Sequence, residues 1–438
     1  MDLENMRGRR IQPGELAVVV GAGKSGLAAT RLLIRERARV RLLDSRPDAL
    51  DAATKKEFLA HRVDLKLGPH KAEYFENASY VIPSPGMPVA SLAQYLGDKT
   101  FAGSGPEIVA EMELAWRYLD TEPVLAVTGT SGKTTTVSLA AAMLQAQGYT
   151  VFLGGNIGTP LSEYVLSGRK ADALVLEISS FQLQACSTFC PRVSVLLNIS
   201  PNHLDYHKDM QEYIDAKFRL FRCQDEGDLA VFGQPLKKLT ENYGIKARKV
   251  WVGDDNKRFP DMQLLGSHNR FNAEAAWQAC HFFGVSESAA ARAVANFRPL
   301  PHRLEKVREH RGVLYVNDSK CTTVSAMEVA LRAFEQPVLL LCGGKFKGGD
   351  LASLAPLIQE KVKAVAGFGA SREHFEPAWQ DIVPMTWHDS MQGAVQTLSM
   401  QAQKGDVVLL APATASFDLY KSYKARGEDF RNIVGALS

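Results

Sequence analysis

Short apolar runs alternate with longer amphipathic stretches along almost the whole chain. Leu16-Ala-Val-Val-Val20 is apolar throughout and leads into a glycine loop. A helix is predicted over Leu27–Glu36, and a second strand over Val40–Asp44. A second set of strands is predicted at Val124–Val127, Ala173–Ile178, Val193–Asn198 and Leu229–Phe232. A third set runs through Gly312–Val316, Val338–Cys342, Ala364–Phe368 and Val407–Leu410. Strands that are apolar on both faces, separated by helical stretches, predict parallel sheets covered by helices. The natural breaks are Phe101–Glu107 and Arg298-Pro-Leu-Pro301, where two prolines interrupt the helical pattern. Three domains are expected, at residues 1–111, 112–299 and 300–438.

Glycine loops at strand ends carry the first chemical signal. Val124–Val127 runs into Thr128-Gly-Thr-Ser-Gly-Lys-Thr134, and a helix is predicted over Val137–Gln147. Such a loop offers backbone N–H groups to phosphate oxygens at a helix N-terminus. Gly129, Thr130, Ser131, Gly132, Lys133, Thr134 and Thr135 are the candidate phosphate-binding residues. Lys133 is placed for the β/γ-phosphates and Thr134 for Mg²⁺. The spacing departs from G-x-x-x-x-G-K-[ST]: the first Gly falls two residues late, at Gly129 in place of Val127. A tight turn that needs glycine only for its backbone angles is the bland alternative.

The other glycine loop, Gly21-Ala-Gly-Lys-Ser-Gly26, matches G-x-G-x-x-G between a strand and a helix, and Asp44 ends the next strand. By itself this is a dinucleotide fingerprint, with Asp44 on a ribose. Any nucleotide diphosphate can use the same helix N-terminus. Lys24 and Arg46 put positive charge nearby, and a second glycine turn follows at Ser84-Pro-Gly86. A Rossmann-like domain without a ligand is the alternative.

Between these loops and the C-terminus lie polar residues at strand ends. Glu177 closes an apolar strand, where a carboxylate suits Mg²⁺. His203 and Asp205 follow the next strand in Asn198–Asp205 and face the same crevice by expectation. Lys217, in a helical stretch over Tyr213–Phe221, reads as a solvated surface lysine. Asn269 and Asn272 share one helix face, suited to a base or ribose or to capping and packing. In the last third, Arg303 is placed to meet a phosphate across a cleft. Asn317–Thr322, Gly343–Lys347 and Ala415–Tyr420 each follow a strand. Lys320, Lys347, Thr322 and Ser416 describe a pocket for a small anion.

Composition narrows the class. The 438 residues are 46% hydrophobic and 23% charged, as in an ordinary globular protein. A net charge of +3, with scattered Lys and Arg, gives no footprint for nucleic acid. The six cysteines form no C-x-x-C pair and read as buried or incidental thiols in a reducing compartment. Met1–Arg10 lacks an apolar signal core and no stretch is apolar long enough to span a bilayer, so a cytoplasmic location is expected.

The motifs, taken in order, resemble the Mur ligases, ATP-dependent amino-acid-adding enzymes of peptidoglycan synthesis, and most nearly the D-glutamate-adding branch. The resemblance rests on the two glycine loops, Gly154-Gly-Asn-Ile-Gly158, Glu177-Ile-Ser-Ser180, Asn198–Asp205 and Gly266–Asn272. It continues through His302-Arg-Leu-Glu305, Asp318-Ser-Lys320 and Gly343–Lys347. It implies a Rossmann-like N-terminal domain, a central P-loop-type ATPase domain with a mostly parallel sheet, and a Rossmann-like C-terminal domain. The uridine nucleotide, not NAD, would lie on Gly23, Lys24, Ser25, Asp44, Ser45, Arg46, Ser84, Gly86 and Asn156. ATP would lie on the central loop with Asn269, Asn272, Arg303, Asp318 and Lys320. The resemblance implies that Thr134, Glu177, His203 and a carbamylated Lys217 serve Mg²⁺, expected as two ions. Lys133, Lys217, His203, Glu177 and Arg303 would carry catalysis. D-Glutamate would meet Thr322, Lys347, Ser416 and Tyr423, and the other substrate would be UDP-N-acetylmuramoyl-L-alanine. A monomer without nucleic-acid or membrane partners is expected. Two positions depart from the family pattern: Asn202, where Asp is frequent, and Tyr423, where Phe is common. An NAD-dependent oxidoreductase and a non-enzymatic nucleotide switch are the alternatives. The first leaves the central loop unexplained, and the second leaves three polar strand-end clusters unexplained.

Overall fold

Runs of apolar residues at Leu16–Val20, Val124–Thr128, Ala173–Glu177 and Val407–Leu410 are buried on both faces, and each is an interior strand. The computed structural model describes residues 7–97, 105–203, 206–253 and 258–437. Asp205 and part of the expected Phe101–Glu107 break lie outside them. The strands form three sheets. The first holds β1 (Leu16–Val20), β2 (Arg39–Asp44), β3 (Asp64–Leu67), β4 (Tyr80–Pro83) and β5 (Glu107–Ile108) in the order β3-β2-β1-β4-β5. The second holds β6 (Val124–Thr128), β7 (Val151–Gly155), β8 (Ala173–Glu177), β9 (Val193–Leu196), β10 (Leu229–Gly233) and β11 (Arg248–Val252), ordered β11-β10-β9-β6-β8-β7. All pairings in both are parallel.

The third sheet runs β12-β13-β17-β14-β15-β16. Its strands are β12 (Glu305–His310), β13 (Val313–Asn317), β14 (Val338–Gly343), β15 (Val362–Phe368), β16 (Met385–His388) and β17 (Val407–Leu410). Only β12 is antiparallel, joined to β13 through a tight turn at Arg311 and Gly312. The described chain divides into two compact units. One comprises Met1–Gly253 with Asn272–Val294, and the other Asp254–Phe271 with Ala295–Ser438. The first unit contains the first two sheets, and one continuous apolar cluster packs residues from both. Separate clusters lie on the two faces of the third sheet.

Helices begin earlier than apolar periodicity suggests. The first spans Lys24–Arg35 and the phosphate-loop helix spans Lys133–Ala146. Both start on polar loop residues. Gly26 is required by close packing: a Cβ there would lie 1.8 Å from the Gly21 carbonyl oxygen. The Lys217 helix spans Met210–Phe218 and tightens into a 3₁₀ turn at Arg219–Phe221.

Buried carboxyls on the Glu111–Trp116 helix join elements of the first unit. Glu113 accepts from the Ser187 hydroxyl, the Thr188 hydroxyl and amide, and the Phe189 amide, all within 3.0 Å. Glu111 accepts from the Ser162 amide at 2.7 Å. Burial pushes the Glu111 carboxyl up to about 7, against a usual 4.5. The folded chain therefore holds a proton there that the unfolded chain releases. That contribution to stability is full below about pH 4.5 and is lost as pH rises through about 7. Glu111→Gln keeps the acceptor for Ser162 and removes the titration. Denaturant unfolding at pH 5 and pH 8 should show wild type losing up to about 3 kcal/mol more than the variant. Equal losses would rule out a protonated Glu111.

Candidate active site

β6 ends at Thr128, and the chain turns through Gly129–Gly132 into the Lys133–Ala146 helix. Gly132 caps that helix in the left-handed region, at φ 81°. A Cβ on it would come within 2.5 Å of the Asn272 side-chain oxygen, so the loop admits only glycine there. The neighbouring strands hold the loop. After β9, the Asn198 carbonyl accepts from the Thr130 amide at 3.0 Å, and its side-chain oxygen from the Ser131 amide at 2.9 Å. After β8, Glu177 meets the start of the helix: its two oxygens accept from the Thr134 hydroxyl at 2.7 Å and the Asn156 side chain at 2.8 Å. Lys133 Nζ turns back on the loop, donating to the carbonyls of Gly129 (2.7 Å) and Thr130 (2.9 Å). It is partly buried.

The helix Met210–Phe218 supports the loop from one side. Tyr213 Oη lies 2.9 Å from Thr130 Oγ1. Four residues on, Lys217 Nζ donates to the Gly129 carbonyl at 3.0 Å and lies 4.6 Å from the centre of the Tyr213 ring. Lys217 is 2% exposed, which overturns its reading as a surface lysine. Helical periodicity gave no sign of this, because the face it shares with Tyr213 looks amphipathic in either orientation. Burial pushes the Lys217 amine well below the usual lysine range, and the charge of Lys133 adds to that shift. His203 has φ 58°, and its ring stands edge-on to Phe181 at 4.8 Å and 6.4 Å from the ring of Tyr213. Thr134, Glu177 and Asn156 are thus brought into one cluster, and Lys133, Lys217 and Tyr213 into another around the same loop. Ser131 and Thr135 lie on the loop and the first helical turn. Among the described residues no group of three or more His, Cys, Asp or Glu side chains forms a ready metal cage. The Glu177 carboxylate and Thr134 hydroxyl still form an oxygen donor set beside a phosphate loop, which suits a hard cation that keeps waters and phosphate oxygens.

In the first sheet, Gly23, Lys24 and Ser25 lie at the helix start, and Ser84 follows β4 with its amide on the Val20 carbonyl at 2.7 Å. Gly86 lies in the turn after Ser84, and Ser45 and Arg46 are exposed beside Asp44. Asp44 accepts from the amides of Ala22 (2.8 Å) and Arg46 (2.9 Å). Burial alone would raise its carboxyl, but these bonds and the Arg46 guanidinium hold it below the usual range. Asn156, expected with this group, lies in the second sheet with its side chain on Glu177.

The second unit gathers its own polar cluster. Asn269 is buried and donates to the Leu265 carbonyl at 2.7 Å, whereas Asn272 belongs to the first unit. Asp318 follows β13 and accepts from the Leu304 amide at 3.3 Å. Burial pushes its carboxyl up to about 7, although the Leu304 amide and Arg303 pull the other way. Lys320 Nζ lies over the Tyr423 ring at 4.1 Å. Ser416 is buried, Thr322 half-buried, and Lys347 exposed on the loop after β14. Sequence reasoning missed Arg426, which organises this edge. Fully buried, its guanidinium donates to the carbonyls of Ser319 (2.9 Å) and Thr414 (3.0 Å) and to the Ser319 hydroxyl (3.0 Å). Burial lowers it to about 10. His302 at φ 64° and Leu304 at φ 42° hold a strained turn beside it, with Asn317 Nδ2 on His302 Nδ1 at 3.1 Å.

Three family models match in series along this chain: Mur ligase MurD-like, N-terminal domain (residues 15–96), Mur ligase middle domain (127–258) and Mur ligase, glutamate ligase domain (302–414). The UDP-N-acetylmuramoylalanine–D-glutamate ligase of Desulfovibrio desulfuricans is 68% identical, with all of both chains covered. The chain belongs to the Mur ligase family. A protein of the same name from Nitratidesulfovibrio vulgaris is 61% identical over 100% of this chain and 99% of that one. In solved structures, MurF ligase from Thermotoga maritima in complex with ADP shares the fold, with a TM-score of 0.58 at 19% identity, covering 98% of this chain and 97% of that one. As a Mur ligase, the chain is an enzyme of ATP-dependent amide-bond formation. The three-domain α/β expectation holds. No described helix is long and apolar enough to cross a membrane.

Arg426→Ala should lower the unfolding free energy of the second unit by roughly 3–5 kcal/mol, since it opens a large cavity and strips donors from buried carbonyls. Denaturant unfolding monitored by a probe in that unit checks it. A loss below about 1 kcal/mol would mean that the carbonyls find other partners.

Proposed function

We propose that this Mur ligase joins D-glutamate to UDP-N-acetylmuramoyl-L-alanine with ATP, through an acyl phosphate. The observation that carries the reading is the 68% identity, over both complete chains, to a ligase of that name. The alanyl carboxylate attacks the γ-phosphorus of ATP, and ADP leaves. The D-glutamate amine then attacks the acyl carbon, and phosphate leaves. Lys133 exchanges the carbonyls it now holds for phosphate oxygens, and Arg303 neutralises the same charge. Glu177, Thr134 and His203 would hold Mg²⁺, which supplies positive charge to the transferring phosphoryl group. Burial and the charge of Lys133 disfavour the protonated Lys217 amine; the free amine would add to CO₂, and the resulting carbamate would add oxygen ligands. Asp44, Ser45, Arg46, Lys24 and Ser84 would hold the uridine diphosphate. Asn269, Asn272, Asp318 and Lys320 would hold the adenosine. Thr322, Lys347, Ser416 and Tyr423 would hold D-glutamate. Domains at 1–111, 112–299 and 300–438, a monomer and a cytoplasmic location go with this reading.

ADP release should require both the uridine substrate and D-glutamate. Equal release with ATP alone would defeat the ligase reading. Preference for a diamino acid would defeat only the D-glutamate assignment. In the same assay, Lys217→Ala should lose about 10–100-fold in turnover and regain part of it with a short carboxylic acid. Near-full activity without added acid would remove the carbamate. Lys347→Ala should raise the KM for D-glutamate about ten- to a hundredfold, as expected for one charge-assisted bond. The KM for ATP should stay unchanged, and a shift in it alone would place Lys347 at the nucleotide.

A further inference from the structure

His207 has no role in the chemistry described above, yet it sits where the elements of the site meet. It lies between β9 and the Met210–Phe218 helix and is 2% exposed. Its Nε2 lies 2.9 Å from Ser180 Oγ, and its Nδ1 lies 3.3 Å from Gln184 Nε2. Ser180 and Gln184 are the first and last residues of the helix that follows Glu177 at the end of β8. The Gln184 amide nitrogen also donates to Glu212 Oε1 at 3.1 Å. A carboxylate only accepts, so this nitrogen faces both the Glu212 carboxylate and the imidazole. Nδ1 therefore accepts, and Nε2 carries the proton that is donated to the Ser180 hydroxyl.

The rest of the imidazole faces the phosphate-loop side. The Tyr213 ring stands edge-on to it with centres 5.3 Å apart, and the Tyr206 and Phe181 rings lie at 5.1 and 5.6 Å. The Tyr213 hydroxyl is the group that lies 2.9 Å from Thr130 Oγ1. The His207 amide donates to the His203 carbonyl at 2.9 Å. One buried residue thus joins the segment after Glu177, the backbone at His203, and the helix of Tyr213 and Lys217. A plain aromatic ring would fill the same space. The nitrogens add direction, because a bond at each side of the ring fixes its rotation and gives Tyr213 a single seat.

We propose that His207 is a positioning residue for phosphoryl transfer. It clamps the Ser180–Gln184 helix to the Lys217 helix, so that Glu177, His203 and the phosphate loop keep one spacing. It touches no substrate and moves no proton in the reaction. Its effect falls on turnover, because a loop shifted by a fraction of an ångström still binds nucleotide but no longer aligns the reacting atoms. The proposal rests on the ligase reading of this site.

The experiment measures kcat and KM with ATP, UDP-N-acetylmuramoyl-L-alanine and D-glutamate, and ADP binding by calorimetry. His207→Phe keeps a ring and removes the nitrogens. It should lower kcat about 10–100-fold, as the loss of an orienting partner does. The KM for ATP and the affinity for ADP should stay within about threefold. His207→Gln keeps a donor for Ser180 and should recover most of the loss. Ser180→Ala removes only the acceptor and should lower kcat about three- to tenfold. Combined with His207→Phe it should add nothing further, since both remove one interaction. Unchanged kcat in His207→Phe would overturn the proposal. So would losses that multiply in the double variant, or an ADP affinity that falls in step with kcat. If His207→Phe folds poorly, Ser180→Ala decides: full kcat in that variant overturns the proposal. Wild-type preference for another amino acid would defeat only the D-glutamate assignment, and the same ratios are then read with that amino acid.

Discussion

An amine stripped of water and given no counter-charge governs the centre of the molecule. Lys217 is almost wholly buried, its Nζ bonded to the Gly129 carbonyl and set over the Tyr213 ring. Among the described residues it has no carboxylate partner. Desolvation and the charge of Lys133 both disfavour its cation. One helical turn earlier, Tyr213 holds Thr130. Two residues on one helix face therefore fix two successive loop residues, and the loop shape depends on them.

Topology decides the loop's other neighbours. β8 and β9 flank β6, and parallel pairing sends all three chains out at the same edge. Glu177 and Asn198 meet the phosphate loop for that reason, although they are far from it in sequence. The third sheet repeats the logic with β13, β14 and β17. Their ends would leave carbonyls exposed to each other across a dry gap. Arg426 fills it with a planar, many-donor group that a point charge such as lysine could not replace.

What the sequence made legible follows from this. Interior strands were readable because burial on both faces demands uninterrupted apolar runs, as in Leu16–Val20 and Val407–Leu410. The β12 strand was not, since Glu-Lys-Val-Arg-Glu-His at a sheet edge carries no apolar run. Helix starts were read too late because a phosphate loop requires Lys133 and Thr134 where periodicity looks for apolar residues. Glycine loops and strand-end carboxylates were legible as types of site. Their partners were not: Asn156 on Glu177 and Arg426 on Ser319 and Thr414 are long-range bonds with no local pattern.

The first glycine loop shows why a fingerprint does not name its ligand. Both Asp44 oxygens are already engaged, one by the Ala22 amide and one by the Arg46 amide and guanidinium. The carboxylate thus shapes its own loop before it meets any ligand. Each oxygen retains capacity for a further donor, but a ribose hydroxyl and a base N–H satisfy it equally. The G-x-G-x-x-G pattern reports only a helix N-terminus at the end of a parallel strand. The second sheet holds what the first loop does not predict: a phosphate loop with the Glu177 carboxylate and the buried Lys217 against it. A phosphate loop with a carboxylate beside it suits phosphoryl transfer and has no part in hydride transfer.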